Sequence, residues 1–115
     1  MKKFLAIAFI LFSALAKIQG QTLTALPSTV SLTEIAGATG TFNITATGTT
    51  WSLIDDADWL TVSPTTGTTD ALITMTAEAN ASALSRSATV TISGTGGVSP
   101  QTVTVTQTGA AASLT

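Results

Sequence analysis

Between Thr41 and Thr47 the chain alternates without a break, with Phe42, Ile44 and Ala46 on one side and Thr41, Asn43, Thr45 and Thr47 on the other. A period of two over seven positions marks a half-buried strand, because successive side chains of an extended backbone point to opposite faces. The same rhythm recurs at Leu23 and Ala25, at Val30 and Leu32, at Trp51 and Leu53, and in the short run Trp59-Leu60-Thr61-Val62. It returns at Ala71, Ile73, Met75 and Ala77, at Ala88, Val90 and Ile92, and at Val103 and Val105. Turn formers separate the runs: Pro27, the G-A-T-G of Gly37 to Gly40, Asp55-Asp56-Ala57-Asp58, Asn80 to Ser85, and the G-T-G-G-V-S-P that begins at Gly94. Ser63-Pro64 and Gly67 read as one more turn, since proline presets φ and glycine tolerates positive φ. No helical period follows Gly20. Seven to eight short strands at this spacing predict an all-β domain, an antiparallel sandwich or a small barrel.

The first twenty residues follow another pattern. Met1-Lys2-Lys3 is positively charged, Phe4 to Phe12 is continuously apolar, and small residues follow at Ser13, Ala14 and Ala16. That is the layout of a secretory signal peptide. It is too short to span a bilayer, which needs roughly 20 apolar residues. Cleavage after Ala16 fits the A-x-A pattern; cleavage after Gly20 leaves Gln21 at the start of the first strand and is favoured. The expectation is therefore a removed signal (1–20), a β domain (21–108) and a short tail (109–115), with no transmembrane segment in the mature chain. Its destination would be secreted, periplasmic or at the cell surface.

Removal of that segment takes all three lysines and leaves Arg86 as the one cation against six acids, a net charge of −5. Phosphate backbones are bound through several Lys or Arg contacts, so nucleic acid is not an expected partner. No cysteine is present, which excludes disulfides and a lipid-modified cysteine anchor. The abundant threonine favours strands, because its branched Cβ suits a pleated surface. A domain of this size buries only about 60 to 65% of its unfolded surface. Its core therefore depends on the few large side chains available, Phe42, Trp51 and Trp59, with Ile44, Leu53, Ile73, Met75, Val90, Ile92, Val103 and Val105 around them.

The ordered series G-T-F-N-I-T (Gly40 to Thr45), Trp51, D-W-L-T-V-S-P (Asp58 to Pro64), Gly67, A-E-A-N (Ala77 to Asn80), R-S-A-T-V-T-I (Arg86 to Ile92) and V-T-V-T-Q (Val103 to Gln107) resembles the BACON domain. This module is common in secreted Bacteroidetes proteins, and the resemblance runs from Leu23 to Gln107. It implies an immunoglobulin-like sandwich with Greek-key connections. It also implies a non-catalytic secreted or cell-surface binding or adhesion module for host or dietary glycans such as mucins, with a plain spacer as the competing role. Only eight residues follow Gln107, so this domain is expected to stand alone.

The candidate ligand-binding residues are Trp59 and the neighbouring Asp55, Asp56 and Asp58. Trp51 and Trp59 are both expected between the sheets, as a buried tryptophan is in related sandwiches; an exposed Trp59 would instead offer a sugar-stacking face. The three aspartates lack the following glycine and distal glutamate of a calcium loop and read as a solvated turn, with no metal and no cofactor expected. Arg86 is expected to pair with one of them. Asn43 and Asn80 begin N-glycosylation sequons, read as incidental. With no histidine, no cysteine and no lysine in the mature chain, the usual bases and nucleophiles are missing and no enzyme is expected. The same lack of lysine leaves sheet edges unguarded. A self-assembling surface or filament subunit, joined through an edge or through a strand from 21–26 or 110–115, is the alternative function, with a homo-oligomer as partner.

Overall fold

The computed structural model describes residues 20–111; residues 1–19 of the expected signal peptide and the last four residues of the expected tail lie outside them. The alternating runs form nine strands: β1 (Thr22–Leu26), β2 (Thr29–Leu32), β3 (Ala38–Thr47), β4 (Trp51–Asp55), β5 (Leu60–Ser63), β6 (Thr66–Gly67), β7 (Ala71–Ala77), β8 (Arg86–Gly94) and β9 (Gln101–Gln107). They build two sheets, ordered β1-β3-β7-β5 and β2-β9-β8-β4-β6. These orders correspond to the A-B-E-D and G-F-C sheets of an immunoglobulin-type sandwich, with β2 added beside the last strand. Among the described residues no helix is long and apolar enough to cross a membrane.

Three local features depart from the sequence reading. The segment around Pro64 and Gly67 was expected as a turn but contains β6, which pairs Thr66 with Ser52 and Gly67 with Trp51. Gly67 does not adopt positive φ; it is needed for space, since a Cβ there would lie 2.4 Å from the Trp51 ring. The fifth strand starts at Leu60, one residue after Trp59. Finally, β2 runs parallel to β9, whereas the other paired strands are antiparallel. The chain crosses from one sheet to the other between β1 and β2 at Pro27, so β2 enters beside β9 in the same direction. Gly40 permits this crossing, for a Cβ there would meet Val30 at 2.7 Å and Leu32 at 2.8 Å.

The core is the inward half of each alternation. Phe42, Ile44, Trp51, Leu53, Ile73, Met75, Val90, Ile92, Val103 and Val105 are all buried. Trp51 is 3% exposed, and its indole Nε1 donates to the Thr69 carbonyl at 2.8 Å, which satisfies the one polar atom it carries inward.

The outward half forms hydroxyl rows. On the five-stranded sheet the register sets Ser31, Thr106 and Ser87 side by side, then Thr29, Thr104 and Thr89. The next rows are Thr102, Thr91 and Ile54, then Ser93, Ser52 and Thr66. The four-stranded sheet carries similar threonine rows, but its middle row is Leu26, Asn43 and Leu72, with the two leucines 64% and 56% exposed.

Candidate functional site

Strand β4 carries Trp51 at one end and Asp55 at the other, about 13 Å apart at the usual rise of a strand. The two tryptophans consequently serve opposite poles of the sandwich.

At the Asp55 pole, Trp59 is half-buried against the edge of the core and does not lie between the sheets. This corrects the expectation that both indoles fill the interior. Trp59 falls in the turn before β5, where the chain is crossing from one sheet to the other, and with Ala57 it packs against the core while partly buried. One face of its ring is covered by the Arg86 guanidinium, 4.4 Å from the ring centroid, a cation–π arrangement. Arg86 is held there by Nε donating to Gln107 Oε1 at 2.8 Å and Nη2 donating to the carbonyls of Glu78 and Ala79, each at 3.1 Å. None of its hydrogen bonds goes to Asp55, Asp56 or Asp58, so the expected acid partner is replaced by an amide and two carbonyls. A sugar stacking on the covered face would first have to displace a side chain fixed by three bonds.

The aspartates are occupied separately. Asp55 Oδ1 accepts from its own loop at Ala57 N, 3.0 Å, and Asp56 Oδ1 accepts from Thr89 N at 2.9 Å. The second bond continues the β4–β8 ladder after the last backbone pair, Asp55 with Val90. Asp58 is exposed. Among the described residues no three acidic side chains converge as a metal site. The structure therefore brings the four predicted site residues into one turn but gives Trp59, Asp55 and Asp56 structural partners.

Two buried amides lock this pole. Gln107 Nε2 donates to Thr33 O at 3.0 Å and Glu78 O at 2.8 Å, and Asn80 Nδ2 donates to Leu84 O at 2.9 Å and Thr108 O at 3.0 Å. The Asn80 sequon is thus a buried structural asparagine, whereas Asn43 is exposed mid-strand. Gly109 and Ala110, expected in the tail, remain pinned here: Ala110 N donates to Ser82 O at 2.7 Å, and a Cβ on Gly109 would strike Ala83 O at 2.3 Å.

The Trp51 pole holds a groove of about 420 Å³ that the sequence reading did not identify. Thr50, Ser52, Thr66, Thr68, Ser93 and Thr95 line it around Trp51, Gly67 and Gly94. In the register of these strands Trp51 faces Gly67 on one neighbouring strand and Gly94 on the other, and the absent Cβ of Gly67 leaves room for the indole. The lips are fixed by a threonine knot. Thr49 Oγ1 donates to Thr95 O at 2.8 Å and accepts from Thr95 N at 2.9 Å, while Thr50 N donates to Thr95 Oγ1 at 3.2 Å. The loops that meet here, 48–50 and 95–100, occupy the places of the B–C and F–G loops, which carry antigen contacts in variable immunoglobulin domains. Among the described residues no charged side chain lines the groove; it presents hydroxyl groups set in a largely apolar lining.

Comparison with solved structures finds a match to a Bacteroides ovatus GH5 xyloglucanase in complex with a XXXG heptasaccharide. The TM-score is 0.69 at 24% identity, over 77% of this chain and 19% of that one. At that identity the likeness establishes the fold, and the matched region is under a fifth of the xyloglucanase chain. No curated protein matches. The family comparison matches the viral BACON domain over residues 22–110, which takes in all nine strands, both amide locks and the groove, and the chain belongs to that family.

Proposed function

We propose that this chain is a non-catalytic carbohydrate-contacting module that acts outside the cytoplasm, with the groove at the Trp51 pole as its contact site. The observation that carries this reading is the groove's chemistry. Six serine and threonine side chains surround the opening beside two glycines, a lining without charge that suits an uncharged polyhydroxylated ligand. Neutral hydroxyls are cheaper to desolvate than charges and can be re-paired by sugar hydroxyls in both donor and acceptor senses. The absence of histidine and cysteine from the sequence supports the non-catalytic role, and the apolar run after Lys2-Lys3 supports export.

The test is calorimetric titration of neutral oligosaccharides into the wild-type chain, Ser52→Gln, Ser93→Gln and Trp59→Ala. The glutamines project into the groove from facing strand positions, and both are expected to weaken binding at least tenfold with the melting temperature unchanged. Trp59→Ala is expected to keep binding in the molecules that remain folded. Loss with Trp59→Ala alone would move the site to the opposite pole.

A second reading, association of copies through sheet edges, draws on the composition of β1 and β2. Among the described residues these are edge strands, of five and four residues, and they carry no charged side chain, whereas edges are commonly guarded by charge. Sedimentation at high concentration decides it, since a monomer throughout removes this reading.

A further inference from the structure

We infer that the whole outer face of the five-stranded sheet extends the groove, and that its ligand is an insoluble neutral polysaccharide with extended, ordered chains; this rests on the carbohydrate reading above. The four outward rows of that sheet contain eleven hydroxyl side chains and one apolar residue, Ile54. Their last row, Ser93, Ser52 and Thr66, is also part of the groove wall, so lattice and groove form one surface.

Spacing comes from the backbone. Neighbouring hydroxyls lie about 4.8 Å apart across strands and about 6.7 Å apart along them. β-branched threonine is stiff about χ1, so each hydroxyl and methyl pair is held ready with little ordering left to do on binding. Seven of the eleven positions are threonine, so the surface offers methyl as well as hydroxyl groups, the apolar and polar kinds of contact that the C–H and O–H groups of a sugar chain need. Asp56, which borders the lattice beside Thr89, has one oxygen tied to Thr89 N. A single contact of this kind is weak. Many in register raise the apparent affinity by roughly 10²–10⁴-fold through effective concentration, which a repeating solid offers and a short soluble sugar does not. The four-stranded sheet lacks this continuity, because Leu26 and Leu72 interrupt its rows.

The experiment is retention of the purified full chain on insoluble cellulose, chitin and xylan, with soluble hexasaccharides of the same sugars measured in parallel. Thr104→Lys sits mid-lattice, and Thr74→Lys occupies the corresponding outer face of the other sheet. Thr104→Gln serves as the uncharged version should the lysine lower stability. The expected result is retention on at least one solid, at least tenfold tighter than its hexasaccharide, lost tenfold or more with either Thr104 variant and unchanged with Thr74→Lys. Equal binding of solid and hexasaccharide, sensitive to Ser93→Gln but not to Thr104→Lys, would overturn the lattice and leave the groove standing. Equal losses from Thr104→Lys and Thr74→Lys would overturn it as non-specific adsorption. No binding to any probe would overturn the carbohydrate reading together with this inference.

Discussion

Replacing Gln107 with leucine isolates the amide lock between the two sheets. The side chain is 0% exposed. Its amide serves three partners: the Thr33 and Glu78 carbonyls, and the Arg86 Nε at 2.8 Å. Leucine is close in size, so the cavity term is small and the loss is that of hydrogen bonds. Two of the three partners recover: Glu78 O keeps Arg86 Nη2 at 3.1 Å, and Thr33 is exposed enough for its carbonyl to hydrate. The stranded group is Arg86 Nε, part of a half-buried cation. An unsatisfied buried donor costs about 1–3 kcal/mol, with charged groups at the upper end, so about 2–3 kcal/mol is expected. For a domain of about ninety residues that is a large part of a total of roughly 5–13 kcal/mol. It lowers the melting temperature by about 10–20 °C. Urea unfolding followed by tryptophan fluorescence measures the change, with the m-value expected to stay constant. Gln101→Leu is the control, because that half-buried side chain reaches only Ser99 O at 3.5 Å and Pro100 O at 3.2 Å. A Gln107→Leu change below about 0.5 kcal/mol, the range of ordinary surface substitutions, would refute the claim that this amide holds the sheets together. So would Arg86→Ala and Gln107→Leu adding independently in a double-mutant cycle.

Gly67→Ala drives a methyl into the Trp51 ring at 2.4 Å; overpacking of this kind costs about 1–3 kcal/mol, read out as a lower urea midpoint. Trp51→Ala empties the core and is expected to cost about 3–5 kcal/mol, more than Trp59→Ala, whose indole is only half-buried; equal costs in urea titrations would contradict the two placements. Thr49→Val removes the hydroxyl that both donates to and accepts from Thr95 and is expected to cost about 1–3 kcal/mol, with faster amide exchange at Thr95. Calcium at millimolar concentration is expected to leave the melting temperature unchanged, because Asp55 and Asp56 each commit an oxygen to a backbone N–H and no third acid converges on them.

The strands were legible because most inward positions are apolar and most outward ones polar, with Leu26, Ile54, Leu72 and Gln107 as exceptions, a pattern that survives without knowledge of partners. Phe42, Ile44 and Ala46 could be assigned to one face from local spacing alone. Pairing was less legible. The parallel β2–β9 contact joins residues more than seventy positions apart, and nothing in Thr29 to Leu32 distinguishes a parallel from an antiparallel neighbour. Gly67 was misread for a related reason. Sequence offers positive φ as the usual motive for a glycine after Ser-Pro, whereas the motive here is a tryptophan sixteen residues earlier pressing on the Cα.

Trp59 and the aspartates drew attention because large aromatic and charged side chains are the residues from which sites are most often built. In this fold both are absorbed by structure, the indole beneath Arg86 and two of the carboxylates on backbone N–H groups. The groove escaped notice because none of its residues is distinctive by itself: in a chain this rich in threonine and serine, Thr50, Thr66, Ser93 and Thr95 resemble every other outward position. What sets them apart is registration, which places two glycines beside one tryptophan across three strands and ties the flanking loops together through Thr49 and Thr95. One signal was available in advance. A tryptophan on an interior strand needs small neighbours on the strands beside it, so glycines at the ends of flanking strands should be sought whenever such a residue is found. For chains with few charges, contact surfaces are then better sought where backbone geometry groups ordinary hydroxyls than where an unusual residue stands alone.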